Sequence, residues 1–403
     1  MEDPKAPSRP AAGGTAEPAV VERLGKAAAA LSDRFLGKEE VIRLMFVSVL
    51  AGEHLVMIGP PGTAKSALVR AFAQVVDARY FDYLLTRFTE PNEIFGPVDI
   101  KAFREGVYRR RTEGMLPEAE IIFLDEIFKA NSAILNSLLS LLNARVFMHG
   151  THRVRVPLLS LFAASNEVPT DEALSALFDR FSVRVQVEYL DSFHFRGLLQ
   201  KGTRLEAMGL GIEEAALSPL VAAEDIRRLQ RVLAGRLSFD EGFLTTYKSL
   251  VFQMRSEGIG LSDRRVVKLL KLFSASALLD GRTKVDASDL FVLRHVWNTP
   301  EQRDLLAEIV GPVLDRWYDE HPERPRVGAA AADLDDLLEE LATLRRALSA
   351  AEVLSDMQLF SYLRNLGDIK AALERMPENP AATRMVGEVD KLLETLFASG
   401  RFV

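Results

Sequence analysis

The sequence predicts an α/β core, with a mostly parallel sheet between helices, followed by an all-helical second part. Three observations carry this. Short apolar runs alternate with stretches of helical periodicity through the first half of the 403-residue chain, the pattern of a sheet covered on both faces. One such run, "HLVMIG", leads through a glycine-bearing loop, "GPPGTAKS" (Gly59 to Ser66), into a helix. From about Asp191 the strand signals stop and helical spacing takes over.

The elements follow in order. The first stretch, 1–19, is Pro/Ala/Gly-rich, lacks the apolar run of a signal peptide, and is expected to be a disordered leader. Order is expected from Val20, with "VVERLGKAAAALSDRFLG" and "KEEVIRLMFVSVLAG" as two helices, the second ending at Gly52. "HLVMIG" reads as a buried strand and "SALVRAFAQVV" as a helix. "RYFDYLL" is the next strand, and "VDIKAFREGVYRRRT" reads as a hairpin turning at Arg104, Glu105 and Gly106. "EIIFLDE" is a buried strand, "NSAILNSLLSLLNA" a helix, "VFMHGTHRVRV" a hairpin turning near Gly150, and "LLSLFAASN" an apolar strand with a polar end. Residues 20–190 thus form the α/β domain and 191–326 a separate helical domain. "HPERPRVGAAAAD" reads as a linker, and 327–403 as a three-helix element whose first helix carries a stripe of Leu334, Leu337, Leu338, Leu341, Leu344 and Leu348.

Composition removes several function classes. With no cysteine there are no disulfides, thiolate metal sites or cysteine nucleophiles. The six histidines show no metal-ligand spacing. A net charge of -7 lacks the basic excess of a general nucleic-acid binder. No apolar run is long enough to span a bilayer, so a soluble, cytoplasmic protein is expected.

The loop and one later strand carry the chemistry. A strand, a glycine-bearing turn and a helix N-terminus together aim backbone N–H groups at one concavity, which suits phosphate. Lys65 adds a point charge for terminal phosphates, and the Ser66 hydroxyl suits Mg²⁺. Ala64 stands where the common pattern has glycine. A methyl group fits there if φ stays negative at the entry to the helix. "IIFLDE" ends a strand on Asp125 and Glu126: one carboxylate suits a hydrated Mg²⁺, and the other can deprotonate a water.

These residues resemble the AAA+ family of ATPases. "GPPGTAKS" is similar to its Walker A motif, which implies that Gly59, Pro60, Pro61, Gly62, Thr63, Ala64, Lys65 and Ser66 bind ATP. "IIFLDEIFKAN" is similar to Walker B, with Asp125 and Ser66 as Mg²⁺ residues and Glu126 as the catalytic base. "FAASNEVP" resembles the sensor 1 strand, putting Asn166 near the attacking water. "ALFDRF" resembles the arginine-finger segment, with Arg180 reaching a neighbouring subunit. "GLSDRRVVKLL" resembles the sensor 2 helix, with Arg264 reading the γ-phosphate from the lid and Arg265 as the alternate. Together with "FLGKEEVI", which sets Leu36 and Gly37 in the cofactor-binding list, the motifs resemble the MoxR branch and its RavA-type members. Alanine before the Walker A lysine is at home in that branch. Its inserts correspond to about Val98 to Thr112 and Arg145 to Val156.

The resemblance implies a hexameric ring that remodels, matures or assembles protein complexes at the expense of ATP and Mg²⁺, with a von Willebrand factor A (VWA) domain partner. Two other classes stay open: a nucleic-acid motor or loader, and a nucleotide-gated scaffold with little turnover. A metal-chelatase motor subunit is close to the first reading. "YRRR" (Tyr108 to Arg111) reads as a solvated face, with substrate contact as the alternative.

Overall fold

The computed structural model describes residues 16–149, 152–169, 171–190, 197–199, 203, 217–235, 238–324, 326–327, 334–350, 356–374 and 380–398. Of the expected leader, 1–15 lie outside the described residues. Ala16 to Ala19 already belong to the first helix, α1 (Ala16–Arg34). Its apolar residues Val20, Leu24, Ala27 and Leu31 are buried, so an amphipathic face extends the helix past the expected start.

Five parallel strands form the central sheet in the order β2 (Tyr80–Leu84), β3 (Ile121–Asp125), β6 (Ser160–Ser165), β1 (Leu55–Ile58), β7 (Val183–Gln186). β1 and β6 are buried along their whole length, as strands covered on both faces must be. Helices α2 (Glu39–Ala51) and α3 (Lys65–Val75) pack here, with Phe46 on Phe72 at 4.7 Å and Phe72 on Phe162 at 5.5 Å between ring centroids. β7 is an edge strand that the motif reading passed over. Its alternating Val183, Val185 and Val187 are buried, and so is Arg184 between them.

The expected first hairpin is only partly one. Its arms pair, with Asp99 N–H on Arg109 O at 2.7 Å and Arg111 N–H on Pro97 O at 2.8 Å. Its tip is a helical turn, α5 (Ile100–Arg104), because the Asp99 carboxylate caps the N–H groups of Lys101 and Ala102. It follows another short helix, α4 (Pro91–Phe95). The second hairpin, β4 (Val146–His149) with β5 (His152–Arg155), follows helix α6 (Ser132–Ala144) as expected. Its turn at Gly150 lies outside the described residues.

Helix α7 (Glu172–Phe178) precedes β7. Beyond β7 come α8 (Ala223–Gly235), α9 (Glu241–Ser256), α10 (Asp263–Leu279), a 3₁₀ segment at Ala287–His295 and α11 (Gln302–Glu320). The buried apolar side chains of this helical part are continuous with those of the sheet. α10 lies antiparallel along α2: Lys268 reaches Glu53 beyond the end of α2 at 2.8 Å, and Arg43 near its start reaches Asp280 at 2.8 Å. The tail helices α12 (Leu334–Ala350), α13 (Asp356–Glu374) and α14 (Pro380–Ala398) do have a core of their own, with Leu337, Leu341 and Leu344 against Leu366, Ile369 and Val389. Leu338 of the expected stripe is instead 42% exposed.

His54, just before β1, is fully enclosed, and its Nδ1 accepts the Leu161 N–H at 3.1 Å. Burial pulls its pKa down to about 4, so the folded chain holds it neutral. The unfolded chain takes up the proton first as pH falls. Its contribution is therefore complete above about pH 6.5 and is lost down to about pH 4. Denaturant melts are expected to show a loss of roughly 3 kcal/mol over that range, most of it absent in His54→Gln. Equal pH slopes in the two proteins would refute this.

Candidate nucleotide site

Loop, acidic strand end and polar strand end meet at the carboxyl edge of the sheet, where parallel α/β sheets bind ligands. The chain leaves β1 at Ile58 and turns through Gly59 to Ala64 into α3. Gly59 is required by a close approach: a Cβ there would stand 1.9 Å from the Val187 carbonyl oxygen. Gly62 adopts φ +78.

Ala64 departs from the expectation of a negative φ. It sits in the left-handed region at φ +61, ψ +24, as the residue preceding α3. The Thr63 hydroxyl closes the loop onto Pro60 O at 3.0 Å, and Ala64 O already accepts the Leu68 N–H at 3.0 Å. The turn must therefore be completed within Ala64 itself, at a cost of about 1–2 kcal/mol for an L-residue. Ala64→Gly is expected to stabilise the chain by about 1 kcal/mol, since glycine enters this region freely. Thermal unfolding should show a rise of about 1–2 °C for a chain this long; a fall would contradict the strain.

Lys65 is buried, and its Nζ donates to Gly59 O at 2.9 Å, Pro60 O at 2.8 Å and Thr63 Oγ1 at 3.3 Å. Burial lowers its pKa, while Asp125 and Glu126 act in the opposite direction. No side chain caps α3, so its first-turn N–H groups are available to an anion.

Asp125 closes β3, and its Oδ1 accepts the Glu126 N–H at 3.0 Å. Glu126 is left-handed at φ +53, which turns it off the strand. Its Oε1 accepts from Asn166 Nδ2 at 2.7 Å and lies 3.4 Å from Lys129 Nζ. β6, which ends just before Asn166, lies between β3 and β1. The sheet order therefore brings Glu126 and Asn166 together, although 40 residues separate them. Among the described residues no cluster of three or more acidic or histidine side chains could hold a metal alone. The Ser66 hydroxyl and the free oxygen of Asp125 fit Mg²⁺, which keeps several waters and takes further oxygens from phosphates.

Residues 22–231 match a family described as the MoxR domain in MoxR-vWA-beta-propeller ternary systems, and residues 243–310 match an AAA lid domain. The chain belongs to the MoxR family of AAA+ ATPases. An uncharacterized protein of Methanocaldococcus jannaschii is 42% identical over 275 residues, covering 68% of this chain and 70% of that protein. A second from the same organism is 36% identical over 305 residues, 75% and 77% of the two chains. The chaperone MoxR1 of Mycobacterium tuberculosis is 26% identical over 304 residues, 69% and 76% of the two chains. The crystal structure of a candidate ATPase from Cytophaga hutchinsonii superposes with a TM-score of 0.60 at 18% identity, over 75% of this chain and 97% of that one, a likeness of fold.

In this MoxR-family chain the rim of the loop includes residues outside the motifs. Lys38 Nζ donates to Glu188 O at 2.7 Å, and the Tyr189 hydroxyl donates to Pro61 O at 3.2 Å. Leu36 and Gly37 directly precede Lys38, with the Gly37 N–H on Glu39 Oε1 at 3.2 Å. Sequence reasoning missed Lys38, Lys129, Glu188 and Tyr189. Only "FLGKEEVI" and "DEIFKAN" offered a signal, for the first two.

Arg180 and Arg264 lie elsewhere. Arg180 stands between α7 and the amino end of β7, and Arg264 is exposed on the first turn of α10. That turn packs at the amino ends of β1 and β7, as the Lys268–Glu53 pair shows. The loop end of the sheet adjoins the other end of α10, about 22 Å along the helix from Arg264. Arg264, expected to read the γ-phosphate from the lid, thus stands, like Arg180, toward the amino ends of the strands and not beside the loop of its own chain. The reason is the antiparallel seating of α10 on α2. The alternate, Arg265, is buried and bonds Asn298 Oδ1 at 3.0 Å.

Proposed function

We propose that this chain hydrolyses ATP within a ring of identical subunits, hexameric on the family pattern, and uses the turnover to remodel, mature or assemble protein complexes. The observation that carries the reading is the Asn166–Glu126 hydrogen bond of 2.7 Å at the sheet edge from which the Lys65 loop springs. Gly59 to Ser66 bind the phosphates, with Lys65 exchanging its loop carbonyls for terminal phosphate oxygens. Ser66 and Asp125 would hold Mg²⁺, which supplies neutralising charge when bound. Glu126 accepts the proton of the attacking water, and Asn166 holds the carboxylate in place.

Arg180 and Arg264 are remote from the loop of their own chain. This supports a composite site in which both serve the nucleotide of a neighbouring copy. The family description supports a VWA-domain partner, and the three-helix tail is compatible with a RavA-type member. ATP turnover per subunit, followed over a protein concentration series, tests the reading. A rate that rises with concentration supports it. A flat rate refutes the composite site, and ATP binding without turnover leaves a scaffold.

A further inference from the structure

Behind Arg180 and Arg264 lie two buried guanidinium groups. Arg184 of β7 and Arg265 of α10 are 1% and 3% exposed. Both donate to one neutral atom, Asn298 Oδ1, at 2.5 and 3.0 Å. Arg184 also donates to the carbonyls of Trp297 and Phe178 and lies over the Phe178 ring at 4.0 Å. Among the described residues, Arg265 Nη2 is buried with no hydrogen-bond partner, as are Arg184 Nε, Arg265 Nε and, beside them, Arg180 Nε, like the Nε of several other arginines. Among the described residues, the enclosed Arg145 donates singly to the carbonyls of Gly52, Leu158 and Leu159 with no second arginine beside it, and two others are matched by carboxylates. Arg282 has Asp280, Asp286 and Asp289, and Arg227 has Glu120 and Glu224. On the pair, Asp179 acts from the exposed turn beside Arg180, and Tyr247 acts on Arg265 in the same direction.

Two like charges buried around one amide are costly, and replacing them with apolar residues of similar volume is often stabilising. Burial accordingly pulls the Arg265 pKa down to about 10, and burial together with the charge of Arg265 lowers that of Arg184. A stability role does not account for such an arrangement. What the pair supplies is field: low-dielectric surroundings transmit its charge to the adjoining surface with little attenuation. That surface is the one bearing Arg180 and Arg264. We propose that Arg184 and Arg265 are positioning residues that keep this face electropositive, so that it docks against the anionic, nucleotide-loaded loop edge of a second copy of this chain. The two arginines need not touch the nucleotide. Their charge raises the affinity of the face for phosphate. The proposal rests on the ring reading and deepens it.

The test uses the full chain with ATP and Mg²⁺. Sedimentation gives the assembly midpoint at several salt concentrations, and thermal unfolding is followed on dilute protein. Arg265→Met is expected to unfold at the same temperature or higher, to assemble at a midpoint at least about fivefold higher, and to depend less on salt. Asp179→Asn, a surface change, is expected to move the midpoint the other way by about two- to fivefold, and it keeps the test open if Arg265→Met does not fold. Unchanged midpoints and salt slopes in the folded variants would overturn the platform and leave the pair a clamp between lid and sheet. Failure of the unaltered chain to assemble at any concentration would instead refute the ring, an outcome distinct from the first.

Discussion

Glu126→Gln is expected to bind ATP as the unaltered chain does and to lose turnover by about 10²- to 10⁴-fold, the range for a positioned general base. The geometry explains why the change should be so selective. Glu126 is held by two contacts to the same oxygen, from Asn166 and Lys129. Glutamine keeps an oxygen to accept both and matches the volume, so the left-handed turn at Glu126 and the end of β3 should survive. What it cannot do is take a proton from water. Phosphate release under saturating ATP measures the loss, and equilibrium binding of a labelled nucleotide checks the retention. A variant keeping more than about a tenth of the rate would remove Glu126 from the role of base. One that loses binding as well would show that the carboxylate matters to the loop through its charge near Lys65.

Arg180→Ala is expected to fold and to bind ATP, yet to lose about 10³- to 10⁵-fold in turnover, the range for an arginine finger. The decisive measurement is a mixture. Arg180→Ala retains Glu126 and Lys65 but can donate no finger. Glu126→Gln retains the finger but has no base. In a ring, an Arg180→Ala subunit beside a Glu126→Gln subunit completes one composite site, so mixing the two inactive proteins should restore a substantial part of the rate. A mixture no more active than its components would exclude the composite site. The concentration dependence should vanish in Arg180→Ala alone, because assembly then completes nothing.

The expected elements and the observed fold agree where local chemistry suffices. The Gly59 to Ser66 loop, the Asp125 and Glu126 strand end and Asn166 were all legible, because each follows a short apolar run whose type and length leave few alternatives. The failures have separate physical causes. Ala64 was expected at negative φ because a methyl group prefers it. The loop, closed by Thr63 and already handed to α3 by the Leu68 bond, overrides that preference. The tip of the first insert was expected as a plain turn, but Asp99 caps a helical turn there. β7 was passed over although Val183, Val185 and Val187 alternate. The arginine between them breaks the wholly apolar run that marks β1 and β6, yet it is buried too.

By itself the sequence determined the α/β-then-helical order of the chain, the glycine-bearing loop between β1 and α3, the acidic strand end and the likeness to AAA+ proteins of the MoxR branch. These depend on contacts within a few residues, or on residue types that their own positions require. Only the tertiary structure decided which residues stand together across long separations. It joined Asn166 to Glu126 by placing β6 beside β3, and it set Lys38 and Tyr189 on the rim of the loop. It also seated α10 antiparallel on α2, so that Arg264 joins Arg180 away from the chain's own loop and Arg265 is buried against Arg184. A one-dimensional pattern can assign a side chain to a face of its own helix. It carries no information about which end of another element that helix will lie against, because that choice is made by packing over the whole core.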